Sequence, residues 1–194
     1  MITIKKQKIT IFASGEGTNA NVLFKYFSNH PKIIINLLIC NNSGANVIRK
    51  AEAAGIPFEI INKKDIEQDK LTETLARYNT DWIVLAGFML KIPLNVINRF
   101  RKKIINIHPS LLPAYGGKGM YGNHVHKAVL ENLEIETGIS IHLVDEEYDT
   151  GRILFQKKIK IEKDETVDSL SSKVKSAEHL YYPEIVENHI LKNS

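Results

Sequence analysis

Asn106 and His108 stand two residues apart at the end of a short β-branched run, and that spacing gives them a chemical reading. Lys103-Ile-Ile-Asn106-Ile-His108 has the pattern of a buried strand, and Pro109 stops it by removing a ladder donor. Side chains alternate along a strand, so an amide donor and an imidazole project to the same side, one pleat apart. Either alone would serve as a loop cap. Together, before the proline-bracketed loop that runs to Gly117, they are a candidate pair for charge stabilisation and proton transfer. A third chemical group is Asp149, at the end of Gly138-Ile-Ser-Ile-His-Leu-Val-Asp-Glu-Glu-Tyr-Asp149-Thr-Gly151. Ser140 and His142 share one strand face there, with Ile139, Ile141 and Leu143 on the other. Read by itself, Asp149 is a turn former, and Glu146 and Glu147 are solvated charges.

A second candidate site is the loop Ala13-Ser-Gly-Glu-Gly-Thr-Asn19. Glycines at 15 and 17 let the backbone approach a ligand, and the N–H groups opening the next helix suit an anion such as phosphate. It is neither a dinucleotide fingerprint nor a Walker loop. The second strand ends in Cys40-Asn-Asn instead of the ribose-binding acid, and no Gly-Lys-Ser/Thr follows. His124 and His126 invite a metal reading, but a spacing of two on a helix sends side chains far apart around the axis. No cysteine pair or HExxH pattern accompanies them, so no metal is expected.

The elements that must position these residues alternate. Strands are expected at 9–13, 33–40, 57–61, 81–86 and 103–108, and helices at 20–27, 45–54, 65–78 and 93–100. Continuous apolar strands between helices predict a parallel sheet covered on both faces. The later part changes character, with a helix at 123–133, strands at 138–144 and 152–161, and a helix at 166–191 broken near Pro183. The two late strands are joined too closely for a parallel crossover, so they should pair antiparallel. Ligands of open α/β sheets bind beyond the carboxyl ends of the strands, where Asn106 and His108 fall.

The 194 residues, 43% of them hydrophobic, suit one domain with a sizeable core, spanning 1–194. A net charge of +4, from 26 basic and 22 acidic residues scattered along the chain, fits anionic small substrates better than nucleic acid. The single cysteine, Cys40, excludes an intrachain disulfide and reads as a small core residue. Met1-Ile-Thr-Ile-Lys-Lys lacks the apolar region of a secretory signal, and no apolar run approaches a membrane span. A cytoplasmic protein that does not engage membranes is expected.

The motifs Asn-Ile-His-Pro-Ser-Leu-Leu-Pro-Ala-Tyr-Gly-Gly, Gly-Glu-Gly-Thr-Asn at 15–19, Leu-Ala-Gly-Phe-Met at 85–89 and Gly-Ile-Ser-Ile-His-Leu-Val-Asp-Glu-Glu-Tyr-Asp-Thr-Gly at 138–151 together resemble the folate-dependent formyltransferases. The similarity runs from about 9 to about 190 and is greatest toward the branch that formylates phosphoribosylglycinamide in purine biosynthesis. It implies a Rossmann-like α/β fold with a mixed sheet, helices on both faces, and 10-formyl-tetrahydrofolate as cosubstrate without a metal. The active protein would be a monomer or homodimer. By the same resemblance, Asn106, His108 and Asp149 match the catalytic trio. Gly17, Thr18 and Asn19 match the substrate phosphate loop, and Lys175 and Glu178 match positions that hold the phosphoribosyl part. Met89, Leu90 and the loop from Val144 and Asp145 to Asp149 match the walls of the pterin pocket.

Departures from the family pattern are Leu90 where some members have Arg, Ala114 where Lys is familiar, Asp145 where Thr is familiar, and a longer loop at 118–122. The implied mechanism is attack of the acceptor amine on the formyl carbon, with Asn106 and a protonated His108 donating to the developing oxyanion. Asp149 would orient the imidazolium and, through a water, assist proton transfer. Alternatives sharing the trio are a formyl-tetrahydrofolate hydrolase and a sugar-amine or methionyl-tRNA formyltransferase.

Overall fold

Four apolar runs pair side by side because each is too apolar to face water on either surface, and a short, more exposed strand closes the sheet's edge beside them. The computed structural model describes residues 5–194; the reading of Met1 to Ile4 as part of a terminus without a signal lies outside them. The strands are β1 (Gln7–Ala13), β2 (Ile33–Cys40), β3 (Phe58–Ile60), β4 (Trp82–Leu85), β5 (Ile104–His108), β6 (Glu136–Leu143) and β7 (Ile153–Lys160), in one sheet of order β3-β2-β1-β4-β5-β6-β7. The pairs from β3 through β5 are parallel, whereas β6 runs antiparallel to both β5 and β7. The mixed sheet expected from the sequence is therefore the observed one.

Period-two alternation divides the core into two layers. Ile9, Ile11 and Ala13 of β1 face a layer with Leu23, Val47, Val125, Val174 and Tyr182. Phe12 faces the other, with Leu71, Leu75, Val96 and Phe100. The first layer is closed by α1 (Thr18–Phe27), α2 (Asn46–Ala53), α6 (Asn123–Glu131) and α7 (Val167–Lys192), the second by α3 (Lys63–Glu67), α4 (Lys70–Arg77) and α5 (Leu94–Arg99). After β1 the chain turns toward β2, and after β4 toward β5. The β1/β4 boundary is thus the topological switch point, where a crevice must open at the carboxyl ends.

Two elements differ from expectation. The helix expected over 65–78 is two helices, α3 and α4, parted at Asp69, whose φ of 59° is left-handed; α3 starts earlier because Asn62 and Asp65 form a capping box. The break expected near Pro183 does not occur, since α7 is continuous through it. An internal proline costs a helix about 3 kcal/mol. Here the burial of Leu170, Val174, Tyr182, Val186 and Ile190 on both sides of it offsets that cost. The Tyr182 hydroxyl also donates to the carbonyl of Leu85 at 2.7 Å, fastening the helix beside the proline to β4.

Candidate active site

Register places Asn106 opposite His142 and His108 opposite Ser140 across the β5/β6 pair, so all four side chains share one face. Ser140 is a buckle for the proline-bracketed loop. Its hydroxyl donates to the Ser110 carbonyl at 2.6 Å and accepts from the Leu112 N–H at 2.9 Å, while the Gln156 amide reaches both Ser140 and the Leu112 carbonyl. The loop therefore leaves β5 in a fixed direction and brings Tyr115 and Gly117 back over the strand end.

Asp149 arrives from the loop after β6 with a left-handed φ of 59°. The approach is fixed by Gly151, where an added Cβ would lie 1.8 Å from the Leu143 carbonyl oxygen. One oxygen of Asp149 accepts from the Gly117 N–H at 2.9 Å and faces His108 Nδ1 at 3.5 Å. The other lies 3.5 Å from His142 Nε2 and from the Asn106 amide. The three residues singled out from the sequence are thus gathered in one cluster.

Partners assign the protons. His142 Nδ1 donates to the Leu143 carbonyl at 2.8 Å, which only accepts, and its Nε2 lies 3.1 Å from the Asn106 amide and 3.5 Å from Asp149. His142 therefore sets which way the Asn106 amide points, a role the sequence did not reveal because its partner is 36 residues away. His108 Nε2 likewise donates to the Tyr115 carbonyl at 2.8 Å. Burial pushes the His108 pKa down, against the opposing pull of the Asp149 charge and the Tyr115 carbonyl, with His142 adding to the depression. Burial pushes the Asp149 carboxyl up, but the His142 ring, the His108 charge and the Gly117 N–H together hold it below the usual carboxylate range. An ionised carboxylate facing a weakly basic imidazole is a pair arranged to pass one proton.

These groups floor a cavity of about 670 Å³. One side is apolar, with Leu85, Met89, Leu90, Ile92, Ile97 and Val144, and carries Asp145 as well. Met89 is held at its backbone N–H by Ser14 Oγ at 2.8 Å, which ties this wall to the end of β1. The other side is polar, with Asn19, His126, Lys175 and Glu178. Burial pushes the Glu178 carboxyl up to about 7, against the Asn19 amide, which donates to it at 2.8 Å, and the Lys175 charge.

Of the expected phosphate loop, Asn19 lines the cavity, whereas Gly17 and Thr18 do not. Gly17 is the N-cap of α1 with φ 65°, and a Cβ there would sit 2.3 Å from the Val47 side chain. Its glycine serves close packing on α2 as well as backbone conformation. Gly15, by contrast, has open space around it. Residues 117–123, which include the longer loop at 118–122, also line the cavity, with positive φ at Gly117, Gly119 and Gly122.

A Rossmann-like sheet whose fifth strand ends in Asn106 and His108, met by Asp149 beside a large two-sided cavity, defines a formyltransferase type of site. The formyl transferase family pattern matches residues 7–186, and the chain belongs to that family. It is 38% identical to the chloroplastic phosphoribosylglycinamide formyltransferase of Vigna unguiculata, over 96% of this chain and 62% of that protein. The chain thus spans less than two thirds of the length of the plant relatives it matches. It is 33% identical to phosphoribosylglycinamide formyltransferase of Bacillus subtilis, over 93% of each. The solved structure of the Bacillus halodurans phosphoribosylglycinamide formyltransferase superposes with a TM-score of 0.86 at 31% identity, over 95% of each chain.

Proposed function

We propose that the protein transfers the formyl group of 10-formyl-tetrahydrofolate to the amine of phosphoribosylglycinamide, a step of purine biosynthesis. The observation that carries this reading is the position of Asn106, His108 and Asp149 in one cavity that is apolar on one side and polar on the other. The names of the relatives agree with it. The apolar wall of Met89, Leu90, Ile92 and Val144 suits the pterin, and Lys175, Glu178 and Asn19 suit a phosphorylated sugar. Gly17 and Thr18 would act at one remove, by presenting the first turn of α1 to the phosphate.

The cosubstrate supplies the formyl carbon. Asn106, half-buried in β5, would direct its amide toward the formyl oxygen as negative charge builds there. His108 would accept a proton as the amine adds and hold it as an imidazolium, with Asp149 stabilising that charge from 3.5 Å. The same pair would then return the proton, directly or through water, to the nitrogen that leaves. Holding amine and formyl group in line between the two sides would contribute on the order of 7–11 kcal/mol. Every residue invoked comes from one chain, so a monomer and a homodimer would serve alike, and the cytoplasm is our reading for the site of action.

The test is the acceptor dependence of the reaction. Purified protein should deformylate 10-formyl-tetrahydrofolate only when phosphoribosylglycinamide is present. Equal turnover in buffer alone would make it a hydrolase, and turnover with a sugar amine or methionyl-tRNA alone would reassign the acceptor.

A further inference from the structure

We propose that His126 is a specificity-determining residue that takes a ribose hydroxyl of the acceptor, working beside Asn19. The proposal rests on the formyl-acceptor reading above and extends it to a residue that neither sequence motif nor trio includes. His126 lies in α6, is only 3% exposed, and lines the polar side of the cavity with Asn19, Lys175 and Glu178. Its Nδ1 is buried with no hydrogen-bond partner among the described residues. The same is true of Asn19 Oδ1, whose companion amide nitrogen is already committed to Glu178.

Buried polar atoms are nearly always paired, so two unpartnered ones on residues that line the same cavity suit partners brought in by a ligand. Their chemistry limits what those partners are. Asn19 Oδ1 only accepts, so its partner must bring a hydrogen, as a hydroxyl does and a phosphate dianion does not. Burial foremost, then the charge of Lys175 and of His108, push the His126 pKa down. A neutral ring offers one donor and one acceptor, the complement of a hydroxyl, which is also both. Lys175 remains for the phosphate, as an exposed ammonium at the rim. The ligand class is therefore a sugar phosphate whose ring hydroxyls enter the recess between α1, α6 and α7.

The probes are ribose 5-phosphate and its 2-deoxy and 3-deoxy analogues, titrated into the intact protein and into His126→Ala and His126→Gln. Wild type should prefer ribose 5-phosphate at least about tenfold over one of the deoxy sugars, the discrimination expected when a site built for a hydroxyl loses it. His126→Ala should shrink that preference to about threefold or less, and His126→Gln, which keeps a donor and an acceptor, should recover part of it. In wild type, the imidazole ¹⁵N resonance that disappears in His126→Gln should move with ribose 5-phosphate and not with the disfavoured deoxy sugar. That measurement decides the matter even if His126→Ala does not fold. An undiminished preference in the variants, no preference in wild type, or a loss of kcat with preference intact would each overturn the assignment while leaving the formyl-acceptor reading standing. Failure of wild type to bind any of the three sugars would instead overturn that reading, and the role of His126 with it.

Discussion

Asp149 is contacted by a backbone N–H, two imidazoles and an amide, so replacing its charge while keeping its shape isolates the electrostatics. Asp149→Asn should fold and lose at least about a hundredfold in kcat, as for groups in general acid–base steps. His108→Ala should lose a similar amount, and the double variant should be little worse than either, because the two act as a unit. Steady-state kinetics on the three proteins checks this, and fully multiplicative losses would contradict it. Glu178 gives a second residue-scale outcome, read in stability. Its carboxyl is raised from 4.5 to about 7, so the stability linked to it is fully present below about 4.5 and lost as pH rises through about 7. The shift corresponds to about 3 kcal/mol, as an order of magnitude. Thermal melts of Glu178→Gln should show a flatter dependence than wild type between pH 5 and 8. Asp149 works in the opposite sense: its folded pKa is depressed, so its contribution is present at neutral pH and lost as pH falls through that value. The pairing of Asn106 with His108 was legible because strand alternation is local. His126 and His142 were visible as residues but not as roles, since their surroundings come from other parts of the chain.

Among the elements, the two glycines of the first loop separate packing from ligand approach. Gly17→Val should destabilise the protein by about 2 kcal/mol or more, because it places a branched side chain at φ 65° and against Val47. Gly15→Ala should change stability by less than about 1 kcal/mol, since its Cβ meets nothing within 4 Å. Denaturant melts of the two variants check this. The sequence marked both glycines alike, for a turn signal carries no record of which helix later packs over it. The same limit explains the two misread helices. The left-handed residue dividing α3 from α4 is an aspartate, a type that favours caps and turns, but the helical spacing of apolar residues runs through Asp69 and masked the division. Pro183 was flagged and overruled, because the burial that holds α7 straight is a property of the assembled sheet. The parallel first part and the antiparallel late strands followed from the alternation of apolar runs with helices, whereas the strand order is a property of the assembled sheet.

At the scale of the molecule, the cavity sets an apolar wall against a polar side with an exposed Lys175, and salt should tell them apart. Lys175→Ala should raise the KM for phosphoribosylglycinamide severalfold at low ionic strength, and the difference should shrink as salt rises, as for an exposed and screened charge. The KM for the folate should stay nearly constant. Initial rates across a salt series with both substrates varied would check it, and a salt-independent effect would place Lys175 outside the phosphate interaction.

Helix α7 closes one face of the sheet and also carries Lys175 and Glu178, two members of the polar side of the cavity. That arrangement orders events during synthesis. β1, β4, β5 and the loop bearing Asp149 all leave the ribosome before α7, so the apolar recess and the trio are made from chain already available. The polar side of the cavity has to wait until α7 clears the exit tunnel and docks through Tyr182. A nascent chain at that stage would present Asn106, His108, Asp149 and the apolar wall but not Lys175 and Glu178, so the cavity is complete only once its last helix has been made.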